Sequence, residues 1–219
     1  MTLIASSIGK KLAMALSGLF LVVFLTQHFV INMTSVFSES LFNEISLFMG
    51  NNALVQMILQ PILIFGVLFH FTMGFVLELQ NSKSRSIKYK SYKGSANAPW
   101  VSRNMIVSGI VILLFLGLHF YDFWFPEMNY KYVEVMPLNP DRYFEEMIHK
   151  FESPVRVGIY VFSFLFLALH LYHGFASSFQ SMGLNNKYSK AIKSITAAFA
   201  IVVPVGFAVI ALFHHLTAF

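Results

Sequence analysis

The chain has 219 residues, of which 57% are hydrophobic and only 11% charged, against the roughly 25% charged content of an ordinary soluble domain. That balance excludes a soluble enzyme, a nucleic-acid-binding domain and a disordered tail, and predicts a single-domain, all-α integral membrane protein. The formal net charge is +5 and there is no cysteine, so disulfides, thiolate nucleophiles, Cys-ligated iron-sulfur clusters and covalently attached c-type haem are all removed. Eight histidines carry most of the chemistry that remains.

Five apolar runs are long enough to cross a bilayer, which takes about 20 residues of helix. In chain order they cover residues 12–31, 55–79, 104–125, 156–178 and 194–215. The first follows Lys10 and Lys11 but is too long for a secretion signal and lacks a small-residue cleavage site, so it is expected to stay in the protein. Between the first two runs, Ser38 to Asn52 reads as an interfacial helix carrying Phe42, Ile45 and Phe48. After the second comes a basic, polar stretch from Gln80 to Arg103, suited to anionic headgroups or to a docked cytoplasmic protein. The connection from Phe125 to Pro154 is acidic and rich in proline, with a short helix expected near Arg142 to Phe151. Five spans put the termini on opposite sides. Lys10, Lys11, Lys83, Arg85, Lys88, Lys90, Lys93, Arg103, Lys187, Lys190 and Lys193 gather on one side, leaving Lys131, Arg142, Lys150 and Arg156 among acids on the other. The positive-inside rule then makes the N-terminus cytoplasmic and the C-terminus external, in a multi-pass protein of the cytoplasmic (inner) membrane.

A histidine inside the bilayer is a functional candidate by default, although a hydrogen bond between helices competes as an explanation for any single one. Here His28 lies on the first span, His70 on the second, His119 on the third, and His170 with His173 on the fourth. Counted from the cytoplasmic boundaries at 1.5 Å per residue, His28 and His119 lie roughly 22 to 24 Å deep, and His70 and His170 roughly 12 to 14 Å. Four histidines on four helices thus fall on two levels, two to a level. Zinc would want further protein ligands at each level. A haem iron wants two axial ligands, because the porphyrin supplies the other four nitrogens. The expected sites are therefore His28 with His119 at one haem and His70 with His170 at the other, held in a four-helix bundle. Gly66 and Gly74 flank His70 by one turn, Gly174 follows His170, and Gly18 and Gly109 lie ten residues before His28 and His119. These glycines make room for porphyrin, or simply let helices approach. His173 is an alternative ligand to His170, a hydrogen-bonding partner for a propionate or a quinone, or an interfacial polar residue. His214 and His215 are expected to be exposed end residues.

In Ser17-Gly18 to His28, His70-x-x-x-Gly74, Leu118-His119-Phe120-Tyr121 and His170-Leu171-Tyr172-His173-Gly174, in this order and at these depths, the chain resembles the cytochrome b subunit of succinate dehydrogenase and fumarate reductase, in the class with one five-helix anchor and two haems b. The resemblance covers nearly the whole chain and gives the same two ligand pairs. It implies flavoprotein and iron-sulfur subunits docked on the cytoplasmic face, which alone carry FAD, iron-sulfur clusters and the dicarboxylate site. It also implies electron exchange with a membrane quinone, menaquinone in this class, and leaves a higher oligomer open. Quinone chemistry needs a proton donor or acceptor, and Glu44 is the candidate, with a solvated interfacial acid as its other reading. Some fumarate-reducing relatives carry a glutamate two positions before the fourth-span ligand; here that position is Ala168, so a proton path of that kind is not expected. Two other readings stand beside this one: a haem-free transporter with a His-lined path, and the cytochrome b anchor of a hydrogenase or formate dehydrogenase.

Overall fold

The structure is a computed structural model that describes residues 6–84, 105–184 and 186–218. Among the described residues there is no strand, and five helices are long and apolar enough to cross a membrane. The protein is a multi-pass helical membrane protein. Its elements are α1 (Ser7–Phe37), α2 (Glu39–Asn51), α3 (Gln60–Ser84), α4 (Met105–His119), α5 (Arg142–Phe151), α6 (Pro154–Ser181) and α7 (Ser189–Thr217). A π-helical turn, Val55–Leu59, leads into α3, and α4 runs on through turns that include π-helical Phe120–Trp124 and Asn129–Val133. The helices outrun the apolar segments read from sequence. Hydropathy finds only the stretch that needs lipid, while a helix can run past it to a capping stop.

Ser38 is one such stop. Its extended backbone ends α1, its N–H donating to Thr34 O at 2.9 Å, and its hydroxyl accepts from Leu41 N at 3.3 Å to start α2. The segment expected as an interfacial helix is therefore α2, with Phe42 buried and Phe48 exposed. The expected helix in the acidic connection is α5.

Helices α1 and α6 are central: α6 packs against α7, α4 and α1, while α1 also receives α3 and α7. Outward-facing side chains stay apolar, Val23, Phe65 and Leu114 being 70%, 69% and 71% exposed, as expected where lipid rather than water is the solvent. Lys10 Nζ donates to Gln80 Oε1 at 3.4 Å, which places the start of α1 beside the end of α3. The opposite end is roofed by α2 and α5. There the Asn43 side chain, 3% exposed, donates to Asp141 O at 3.2 Å and accepts from Phe144 N at 2.8 Å, so α2 caps the first turn of α5. Asn43→Ala is expected to lower stability by about 1–3 kcal/mol by orphaning both backbone groups. Its thermal unfolding midpoint in detergent, compared with the parent, checks this; an unchanged midpoint would show that the tie contributes nothing.

Of the basic residues assigned to the cytoplasmic side, Arg85, Lys88, Lys90, Lys93 and Arg103 lie outside the described residues, as does most of the Gln80 to Arg103 stretch.

Candidate functional site

Two pairs of imidazoles face each other between helices. His28 on α1 and His119 at the end of α4 have ring centroids 5.7 Å apart with planes at 89°. His70 on α3 and His170 on α6 have centroids 6.3 Å apart at 70°. His173, one turn beyond His170, is partly buried and pairs with no second imidazole in this way.

Hydroxyls hold the His70–His170 pair. Ser17 Oγ lies 2.9 Å from His70 Nδ1 while donating to Met14 O at 2.9 Å. Ser108 Oγ lies 3.2 Å from His170 Nδ1 while donating to Met105 O at 2.8 Å. A serine hydroxyl has one hydrogen, and in both cases the carbonyl three residues back takes it. The hydroxyl must then accept, so the network assigns the proton to Nδ1 of each histidine. Nε2 is left with its lone pair, the state in which imidazole binds a metal.

The glycines divide into two groups. A Cβ on Gly18 would lie 3.4 Å from the His70 ring, and one on Gly109 would lie 3.9 Å from the His170 ring, so these two border the imidazoles. Gly66 instead admits the Phe20 ring, Gly74 lies beside Met14, and Gly174 lies beside Met105. Those three serve close packing around the site and do not border the histidine rings. Because Gly18 and Gly109 precede His28 and His119 by ten residues on the same helices, the His70–His170 pair lies at a different level from the His28–His119 pair.

The His28–His119 pair has a different lining. Phe24 stacks on His28, and Phe207 packs at 5.7 Å from it; Phe115 and Phe123 flank His119. Beside them sits Asp122, 1% exposed, which accepts from Tyr160 OH at 2.9 Å and faces Arg156 Nε at 3.3 Å. Sequence reasoning passed over this group. The signal was present, since Asp122 lies inside an apolar run, where an ionisable residue is a functional candidate. Glu44, by contrast, is exposed on α2.

His214 corrects the expectation of an exposed helix end: it is 1% exposed, and its Nε2 meets Ser35 Oγ at 2.8 Å. Ser35 in turn donates to Asn32 O at 2.6 Å, so a serine-histidine tie also joins α1 to α7. His214 packs its ring on Phe144 and Phe213 rather than on another imidazole, which separates this structural tie from the two facing pairs. His215 Nδ1 reaches Phe151 O at 2.8 Å.

Among the described residues, no three His, Asp or Glu side chains converge as a protein-only metal cage requires. Fold and site together define a five-span helical membrane protein with two facing imidazole pairs at different depths. Comparison with known proteins finds no family model, curated protein or solved structure that matches this chain.

Proposed function

We propose that this chain is the di-haem cytochrome b membrane anchor of a succinate:quinone oxidoreductase, a succinate dehydrogenase or fumarate reductase. The observation that carries the reading is the pair of imidazole pairs. Two imidazoles that would hold one metal between them would have ring centroids about 6 Å apart, close to the 5.7 and 6.3 Å seen. Among the described residues no group of three His, Asp or Glu converges, and two imidazoles would suffice for an iron whose other four nitrogens a porphyrin supplies. The residues present therefore fit haem b: His28 with His119 at one site, His70 with His170 at the other.

Bound there, haem supplies a one-electron carrier. The chain's own residues do the rest. His70 and His170 would offer Nε2, with Ser17 and Ser108 orienting them, and the phenylalanines around His28 and His119 keep water away. The family resemblance and the concentration of basic residues support a cytoplasmic N-terminus, flavoprotein and iron-sulfur subunits docked on that side, and a membrane quinone, menaquinone, as electron partner. FAD, iron-sulfur clusters and the dicarboxylate site belong to those subunits. Glu44, exposed near the α5 end, is the proposed proton donor or acceptor for the quinone, and with Ala168 in the fourth span the chain offers no carboxylate at that position.

The test is a dithionite-reduced minus oxidised spectrum of the purified chain with its co-purifying subunits, with extracted haem counted per polypeptide. About two non-covalent haems b per chain are expected; none in folded protein would sink the reading. A finer result is expected from Ser17→Ala and Ser108→Ala. Loss of the group that holds a ligating imidazole's second nitrogen costs about 10- to 100-fold in metal affinity. Each variant should release one haem faster on dilution into apo-myoglobin, and unchanged release would remove the serines from the site.

A further inference from the structure

Among the described residues, the buried side-chain polar atoms without a hydrogen-bond partner are His119 Nδ1, Asp122 Oδ1 and Trp124 Nε1. All three lie within one stretch of α4 and its π-helical continuation. Buried orphans are rare, and each calls for a missing partner. Two are donors or potential donors and the third is an acceptor. The Asp122 carboxylate is half satisfied: Oδ2 has Tyr160 and Arg156, whereas Oδ1 has nothing. Tyr160 touches both members, its hydroxyl on Asp122 and its ring 6.3 Å from that of His119. The contrast with the other pair is direct, because His70 and His170 each have a serine hydroxyl at Nδ1 and His119 has none.

We infer that Asp122 is the positioning residue of His119: Oδ1 accepts the Nδ1–H of His119 through one bridging water, and so holds Nε2 toward His28. The inference rests on the haem reading above. Ligating histidines commonly give their second N–H to a carboxylate, which fixes the tautomer and makes the ring a stronger electron donor. A carboxylate does this more than a serine hydroxyl, since charge strengthens the hydrogen bond. The His28–His119 site is thereby tuned to a lower reduction potential by Asp122. Tyr160 and Arg156 oppose that effect, because both draw negative charge from the same carboxylate.

The experiment is a spectroscopic redox titration of the purified complex, with the His28–His119 component identified as the one lost in His119→Ala. Asp122→Asn keeps an acceptor but removes its charge, and is expected to favour reduction of that component by roughly tenfold, about 59 mV for one electron. Tyr160→Phe removes a donor that competes for the carboxylate and should move the same component the opposite way. The His70–His170 component should stay in place in both variants. A merely structural role would move both components together or neither, and either result, with haem content intact, overturns the inference. If Asp122→Asn does not assemble, Tyr160→Phe decides alone, and the lack of a downward shift overturns it. Absence of haem from the unsubstituted chain would count instead against the haem reading.

Discussion

On the proposed di-haem reading, replacing His70 with alanine is expected to lower haem from about two to about one per polypeptide and to abolish quinone reduction, while dicarboxylate oxidation with soluble dyes continues. The large effect follows from geometry. His170 has one facing imidazole, at 6.3 Å, and no group of three His, Asp or Glu converges among the described residues, so the variant loses the imidazole opposite His170. The dye reaction survives because the proposed dicarboxylate site lies on partner subunits. Counting extracted haem in the variant checks the first part, and paired dye and quinone assays check the second. Retention of both haems would show the ligand assignment to be wrong. The same count separates His170 from His173: His170→Ala should lose a haem and His173→Ala should keep both, since only His170 faces His70.

The second large effect concerns stability. Arg142 is 6% exposed; it donates to both Glu146 oxygens at 2.8 and 3.0 Å, pairs with Glu127, and lies over the rings of Tyr130 and Tyr143 at 4.0 and 4.4 Å. Burial by itself would lower the guanidinium's pKa, but hydrogen bonds and charge from Glu127 and Glu146 outweigh it and hold the pKa above its ordinary value. Glu127 also pairs with Lys131, and Lys131 donates to Gly50 O. A Cβ on Gly50 would come within 2.8 Å of the Tyr143 hydroxyl, so glycine is what lets α2 close over the cluster. Arg142→Ala removes the shared cation and leaves Glu127 with Lys131 and the Tyr143 hydroxyl. The expected loss is about 3 kcal/mol, at the lower end of values for breaking a buried pair, or roughly 6–12 °C in unfolding midpoint for a chain of this size. Arg142→Lys should recover little, because a single ammonium cannot bridge two carboxylates as a guanidinium fork does. The double variant Arg142→Ala, Glu127→Gln should lose little beyond Arg142→Ala, since both substitutions remove the same ion pair. Thermal unfolding followed by tryptophan fluorescence in detergent measures all three, and equal midpoints for parent and Arg142→Ala would refute the role given to the cluster.

How much of this was legible without coordinates differs from residue to residue. The spans were, because a bilayer leaves a chain no alternative to self-satisfied helices and the apolar runs stand out. That His28 shares a level with His119, and His70 with His170, was legible too, since helix rise converts residue count into depth. The glycines were only partly so. Spacing cannot tell that Gly18 and Gly109 border imidazole rings while Gly66, Gly74 and Gly174 admit Phe20, Met14 and Met105, because rotation about each helix axis is set by its neighbours. His214 was misjudged for a related reason: its place near the chain's end suggested exposure, but α5 and α1 cover that end of α7.

By itself, then, the sequence determined an all-helical chain with five membrane-crossing segments and which helices carry the facing histidines, because hydropathy and helical rise are local properties. Only the tertiary structure decided that Ser17 and Ser108 complete one imidazole pair, that Asp122 lies buried beside the other, and that Asn43 and Arg142 lock the roof. Each of those facts is a contact between separate helices. Hydrogen-bond partners of this kind depend on which faces the helices turn toward one another, and that choice is made by packing across the whole bundle.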